Sequence, residues 1–285
     1  MDKEYNPVRD WCREHGYGGV VSIERVGGGC INEGAILETE SGQSFFVKTN
    51  NAAPPDMFPR EAEGLEALDV DDGPRVPRVY HAEASYILLE DLNPAPRKGE
   101  YWTTFGRQLA ALHGHTKERF GFAHDNYIGS TPQVNPWTEN GFDFFAHQRL
   151  LYQAQLGRDR RRLSSGDVNK IEHIAHHLEE WIPPQEASLI HGDLWSGNAT
   201  TDEEGDPAII DPAAHYGWAE AELAMTSLFG SFPDRFYRAY QEIRPLEPGF
   251  RDRFPIYNLY HLLNHVNLFG GGYLSQVRSI LDRYA

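Results

Sequence analysis

Lysine is scarce in this 285-residue chain: only Lys3, Lys48, Lys98, Lys117 and Lys170 occur, although Lys and Arg together number 26 and Asp and Glu 42. A formal net charge of -16 excludes a general nucleic-acid binder, because neutralising phosphates takes clustered basic side chains. The best basic cluster, Arg158-Asp159-Arg160-Arg161-Arg162, reads as a solvated helix end. An acidic surface poor in lysine suits a salt-rich cytoplasm, where counterions screen self-repulsion, so a halophilic source is expected. The two cysteines, Cys12 and Cys30, are too few for a disulfide framework and lack metal-ligand spacing, which points to a reducing compartment. No run approaches the roughly 18 apolar residues of a membrane span. Met1-Asp2-Lys3-Glu4-Tyr5-Asn6 has neither the basic flank nor the apolar stretch of a signal peptide. A cytoplasmic protein without a membrane partner is expected. The G-x-x-x-x-G-K-[ST] phosphate loop is also missing, as is any internal repeat.

Extended and helical patterns then divide the chain at about residue 90. In 1–90, strands are expected at Val20–Val26, Ala35–Thr39, Ser44–Lys48 and Tyr86–Glu90, with a helix over Met57–Leu68. Gly27-Gly28-Gly29 breaks the first strand, and Gly34 is a further candidate for that turn. In 91–285 the spacing predicts helices over Tyr101–His115, Phe142–Leu156 and Val168–Trp181, and from Pro255 to Tyr284 with a break at Gly270-Gly271-Gly272. Residues 127–137 read as a loop-rich insert.

The chemistry concentrates in His191-Gly192-Asp193-Leu194-Trp195-Ser196-Gly197-Asn198, followed by Asp211 in the apolar frame Ile209-Ile210-Asp211-Pro212. This H-G-D-x-x-x-x-N pattern describes phosphoryl transfer. Asp193 is the candidate base for an acceptor hydroxyl, and Asn198 and Asp211 are candidate magnesium ligands beside the phosphates of ATP. His191 reads as a structural hydrogen-bonding residue. Upstream, Gly27, Gly28 and Gly29 would let backbone N–H groups approach phosphates. Lys48 would contact the α and β phosphates, with Glu61 as its ion-pair partner in preference to Glu63. Backbone groups of Glu90, Asp91 and Leu92 form a candidate hinge against the adenine edge. Strand, glycine turn, strand, lysine strand, acid-bearing helix, strand and catalytic loop is the order of a protein-kinase-like fold: α+β and two-lobed, a small antiparallel sheet with a helix followed by a mostly helical lobe.

These motifs, with Gly28-Gly29-Cys30-Ile31-Asn32-Glu33, Asp125 to Gln133, Asn135-Pro136-Trp137, Phe144-Phe145, Gln148-Arg149-Leu150 and Leu262 to Gly270, cover nearly the whole chain. In them it resembles the fructosamine kinase (ketosamine-3-kinase) family of the aminoglycoside phosphotransferase branch. The resemblance implies transfer of the ATP γ-phosphate to the sugar 3-hydroxyl of a ketoamine, small or protein-linked, which releases the amine and repairs glycation. It matches Asp193 to the family's catalytic position and Trp195 to the place where the sugar docks. It also implies that Cys30 can act as a redox switch, the protein being a monomer or a redox-dependent homodimer. Many relatives carry histidine where Trp218 stands, so a contact needing an imidazole acceptor is in doubt here. The insert 126–137 reads equally as a substrate-side wall or a structural loop, and His261, Asn264 and His265 as substrate-side or packed helix residues. A kinase of another small alcohol or an aminoglycoside, and a catalytically silent nucleotide-binding protein, stay open as alternatives.

Overall fold

Strand parity decides which side chains of the first sheet meet which helix. The structure, a computed structural model, describes residues 3–27 and 32–285. After α1 (Asn6–Glu14) come β1 (Val20–Val26), β2 (Glu33–Thr39), β3 (Ser44–Thr49), α2 (Met57–Leu68), β4 (Val79–Glu83) and β5 (Tyr86–Glu90). The five strands form an antiparallel sheet in the order β1-β2-β3-β5-β4. Ala35, Leu37, Phe45, Val47, Tyr86 and Leu88 share one face, which Val8, Trp11 and Cys12 of α1 cover to close a small separate core. Phe46, Ile87 and Leu89 point the other way and join the main core with Phe58 and Leu65 of α2. The same parity puts Lys48, opposite Ile87, on the face toward α2. Each fully buried Leu or Phe in these layers contributes about 1.5–3 kcal/mol.

In chain order the remainder comprises α3 (Tyr101–His113), β6 (Thr116–Lys117), β7 (Asn126–Ile128), β8 (Thr131–Gln133), α4 (Gly141–Phe145), α5 (Tyr152–Asp159), α6 (Ser165–His176), β9 (Ala187–Ile190), β10 (Ala199–Thr201), β11 (Pro207–Ile209), β12 (His215–Gly217), α7 (Ala219–Met225), α8 (Asp234–Ile243), α9 (Phe250–Phe269) and α10 (Leu274–Tyr284). Helices α3 and α8 cross with backbone contact: a Cβ on Gly106 would lie 2.3 Å from the Phe236 carbonyl oxygen. The fold is α+β, an antiparallel sheet with α1 on one face and α2 on the other, followed by a mainly helical region.

The strands at 20–26 and 86–90 and the helix at 57–68 form at their expected limits. Four expectations are corrected. The helix read over 142–156 contains a π-helical turn, Ala146–Leu151, between α4 and α5. The helix read from Val168 begins at Ser165, because Ser164 and Asp167 make reciprocal capping bonds that a purely apolar period does not register. The insert is a hairpin, β7 paired with β8. Gly34 lies inside β2 opposite Lys48, outside the turn it was expected to serve.

Candidate active site

Two short sheets bring the candidate catalytic segments together. Ile190 at the end of β9 pairs with His215 of β12, and Ala199 at the start of β10 pairs with Ile209 of β11. Residues 191–198 and 210–214 therefore run side by side. The Ala213 N–H donates to the His191 carbonyl at 2.9 Å and the Ile210 N–H to the Asn198 carbonyl at 3.1 Å. Gly192 has φ 82°, and a Cβ there would sit 2.2 Å from the Ala213 carbonyl oxygen, so no side chain fits. The His191 ring is buried between the two segments. Its Nε2 lies 2.8 Å from the Ile210 carbonyl and its Nδ1 3.2 Å from the Asp193 N–H, so a single neutral tautomer serves both, donating from Nε2 and accepting at Nδ1. Burial holds that ring below the usual histidine range.

Asn198 donates from Nδ2 to the Asp193 carbonyl at 2.8 Å and to Asp193 Oδ2 at 3.4 Å, which leaves its amide oxygen for another partner. Burial, reinforced by the negative charge of Asp211, pushes the Asp193 carboxyl well above the usual carboxylate range, against the opposing Asn198 bond. Asp211 follows β11 in the left-handed region, φ 60°, which a short polar side chain tolerates. Lys48 Nζ bridges Asp211 and Glu61, as parity predicts. Burial alone would lower the Lys48 pKa, but the two carboxylates outweigh it and the ammonium stays charged. Glu63 instead pairs with Arg60 and His124.

Among the described residues no cluster of three or more His, Cys, Asp or Glu could hold a metal alone. The donor set nevertheless fits magnesium, a hard cation that takes one or two protein oxygens beside substrate phosphates and water. Asp211 is 46% exposed at its side chain and the Asn198 oxygen is unoccupied by its own amide contacts.

A second layer under the loop escaped the sequence reading. Glu222 of α7 is fully enclosed. Its Oε1 accepts the Gly192 N–H at 2.7 Å, and its Oε2 accepts the His191 N–H at 3.0 Å and lies 2.8 Å from His113 Nε2. The Tyr240 hydroxyl sits 2.8 Å from His113 Nδ1, so a neutral His113 links α3, α7 and α8. Burial raises the Glu222 carboxyl, but the His113 bond, the His113 and His191 rings and the Gly192 N–H bring it below its usual value. Burial likewise lowers His113. The available signal was two acids, Glu220 and Glu222, inside the apolar run Ala219 to Met225. Glu220 too is buried, held by Arg253 and the Tyr257 hydroxyl.

The remaining expected residues are distributed as follows. Gly27 follows β1, with no described atom within 4 Å of a Cβ placed there, while Gly28, Gly29 and Cys30 lie outside the described residues. Glu90 closes β5 and pairs with Arg75, Asp91 accepts the Ser44 hydroxyl at 2.6 Å, and Leu92 is buried. Trp195 is half-buried beside Phe229, ring centroids 6.1 Å apart. Trp218 is a core side chain against Phe120, Phe142, Phe145 and Tyr257. The hairpin insert acts as a buttress: Asn126 Nδ2 and Gln133 Nε2 donate to the Ala214 and Ala213 carbonyls at 2.8 and 3.0 Å, and buried Arg149 reaches Asn135 Oδ1 at 2.7 Å. Asn264 packs against this region, donating to the Ile128 carbonyl at 3.4 Å. No helix among the described residues is long and apolar enough to cross a membrane.

Residues 9–285 match the model of the fructosamine kinase family. The chain belongs to that family. Similar fructosamine kinase relatives include a probable ketoamine kinase of Synechocystis, 45% identical over 90% of this chain and 88% of that protein. The chloroplastic protein-ribulosamine 3-kinase of Arabidopsis thaliana is 41% identical over 98% of this chain and 87% of its own length. A solved structure of a candidate fructosamine-3-kinase from Thermobifida fusca superposes with TM-score 0.88 at 34% identity, covering 97% of this chain and 98% of that one. The likeness extends in fold alone to a choline kinase of Streptococcus pneumoniae, TM-score 0.69 at 14% identity over 99% and 100% of the two chains.

Proposed function

We propose that this fructosamine kinase family member transfers the γ-phosphate of ATP to the sugar 3-hydroxyl of ketoamines, fructosamine or ribulosamine adducts, as a deglycation activity. The observation that carries the reading is the meeting of Asp193 and Asn198 with the Lys48–Glu61–Asp211 bridge on adjoining segments. When bound, magnesium and ATP supply the phosphoryl group and screen its charge. Asp193 accepts the proton of the acceptor hydroxyl, and its elevated pKa suits a group that must take up that proton. Asn198 and Asp211 would hold the metal by oxygen. Lys48 would exchange Asp211 for the nucleotide phosphates while Glu61 keeps it oriented. Gly27, Gly28 and Gly29 would cover the phosphates, Glu90, Asp91 and Leu92 would meet the adenine, and Trp195 would offer a ring face to the sugar.

We assign residues 1–90 to a nucleotide-binding lobe and 91–285 to a catalytic and substrate lobe, supported by the end of the sheet at Glu90. The acidic, lysine-poor composition supports a salt-rich cytoplasm. ADP release in a coupled assay, with fructose-lysine, ribulose-lysine, choline and an aminoglycoside as acceptors, tests the substrate class. Turnover confined to the ketoamines is expected. Turnover with choline or the aminoglycoside alone would overturn it.

A further inference from the structure

The Asp193 carboxylate is held on one side only. Its Oδ2 receives the Asn198 amide at 3.4 Å, its main-chain oxygen receives the same amide at 2.8 Å, and its N–H is spent on His191. Among the described residues no hydrogen bond reaches Oδ1. Facing that oxygen is His261, in the interior of α9, whose Nδ1 lies 3.9 Å away. The His261 side chain is 7% exposed, and its Nδ1 is fully buried with no hydrogen-bond partner among the described residues. A buried polar nitrogen is destabilising when left unpaired, and the two unmatched atoms form a complementary pair just beyond bonding distance.

The His261 ring has an aromatic neighbour. It packs against Tyr260, centroids 5.0 Å apart, and the His261 carbonyl accepts from His265 Nδ1 at 2.8 Å. His265 is itself set between Phe229 and Tyr273 at 4.7 and 4.9 Å. Behind His261 a small cavity is lined by Phe144, Arg149, His215, Trp218 and Tyr260. Burial, then His265 and Arg149, lowers the His261 pKa to about 3, so the imidazole is neutral and carries one ring proton at ordinary pH.

We propose that His261 is a positioning residue for Asp193, donating from Nδ1 to Oδ1 when the acceptor closes the site, so that Asn198 and His261 clamp the carboxylate from both sides. Catalytic hydrogen bonds are often long in free enzymes and tighten on substrate binding, and a misplacement of about 1 Å can cost about 10²-fold in rate. The clamp leaves one lone pair of Oδ1 directed at the acceptor hydroxyl. This role rests on the phosphotransfer reading above.

Two measurements test it, one of which does not depend on turnover. His261→Leu removes the donor and His261→Asn keeps an N–H near the Nδ1 position. The Leu variant is expected to lose about 10- to 100-fold in kcat with an unchanged KM for ATP and a thermal midpoint within a few degrees of the parent, and the Asn variant to recover to within about fivefold. Parental kcat in the Leu variant, equal impairment of both variants, or a loss that follows unfolding would overturn the role. Nitrogen-15 imidazole spectra of the protein with magnesium and ADP, assigned by difference against His261→Leu, should show the His261 proton on Nδ1. A proton on Nε2 with bare Nδ1 would refute the donor even if no ketoamine were ever turned over, whereas an inactive parent with the Nδ1 proton present would count against the substrate reading alone.

Discussion

Glu222→Gln changes one oxygen to an amide nitrogen at the point where α7 holds the catalytic loop. Every partner of this carboxylate is a donor: Gly192 N–H at 2.7 Å, His191 N–H at 3.0 Å, and the His113 ring at 2.8 Å. If the glutamine oxygen takes the Oε1 position, its NH₂ faces His191 N–H; in the flipped pose it faces Gly192 N–H. His113 can exchange tautomers to suit either, but one buried backbone donor loses its acceptor, a cost of about 1–3 kcal/mol. Glu222→Ala strands all three donors, and because water can enter the vacated space about 3–5 kcal/mol is expected. At about 2 °C per kcal/mol for a chain of this length, calorimetry should show losses of about 2–6 °C and 6–10 °C. Both variants shift the backbone that carries Asp193, so kcat should fall about 10- to 100-fold for Gln. Glu242→Gln, at an exposed pair with Arg107, is the control and should stay within about 0.5 kcal/mol. A Glu222→Gln protein with parental midpoint and kcat would refute the anchoring role.

Acid should destabilise the fold from an unusually high pH. His113, His191, His215 and His261 are buried, and burial depresses all four. A histidine whose folded pKa lies below its unfolded value, about 6.5, contributes stability that is complete above about pH 6.5 and is lost as pH falls toward the folded pKa. Four such groups give up to about 5 kcal/mol per pH unit below that point, and urea midpoints that are flat from pH 7 to 5 would contradict it. Lys48→Met leaves Glu61 enclosed without its cation, so stability should drop by about 3–5 kcal/mol and kcat/KM for ATP by about 10²- to 10³-fold; unaltered ATP kinetics would remove Lys48 from the site. The lysine-poor, acidic composition predicts that the thermal midpoint rises between low and molar potassium chloride, and a midpoint insensitive to salt would argue against a salt-rich origin.

Local pattern made the N-terminal sheet and α2 legible. Continuous apolar runs in Ser44 to Lys48 and in Tyr86 to Glu90, and the helical period of Met57 to Leu68, mark buried elements, and strand parity then turns Lys48 toward Glu61. The helix α1 is less visible, since its buried residues Val8, Trp11 and Cys12 are scattered in a polar run. Strands β6 to β12 span two to four residues each, too short for a period of two to register, yet they determine how residues 191–198 lie against 210–214. The linear motif located Asp193, Asn198 and Asp211 because their spacing is local. Glu222, His113 and Tyr240 form one network across three helices, and nothing in the linear order reveals such contacts. Trp218 and the 126–137 hairpin illustrate the converse: motif residues that face the core and buttress the loop.

The most direct measurement is phosphorus-31 NMR of the products from fructose-lysine or ribulose-lysine with magnesium and ATP, parent against Asp193→Asn. A new phosphate ester on sugar carbon 3, formed by the parent and absent with the variant, is expected. ATP consumed without a phosphorylated ketoamine, or an Asp193→Asn protein that makes the ester at the parental rate, would contradict the assignment of this site as a ketoamine kinase centre built on Asp193.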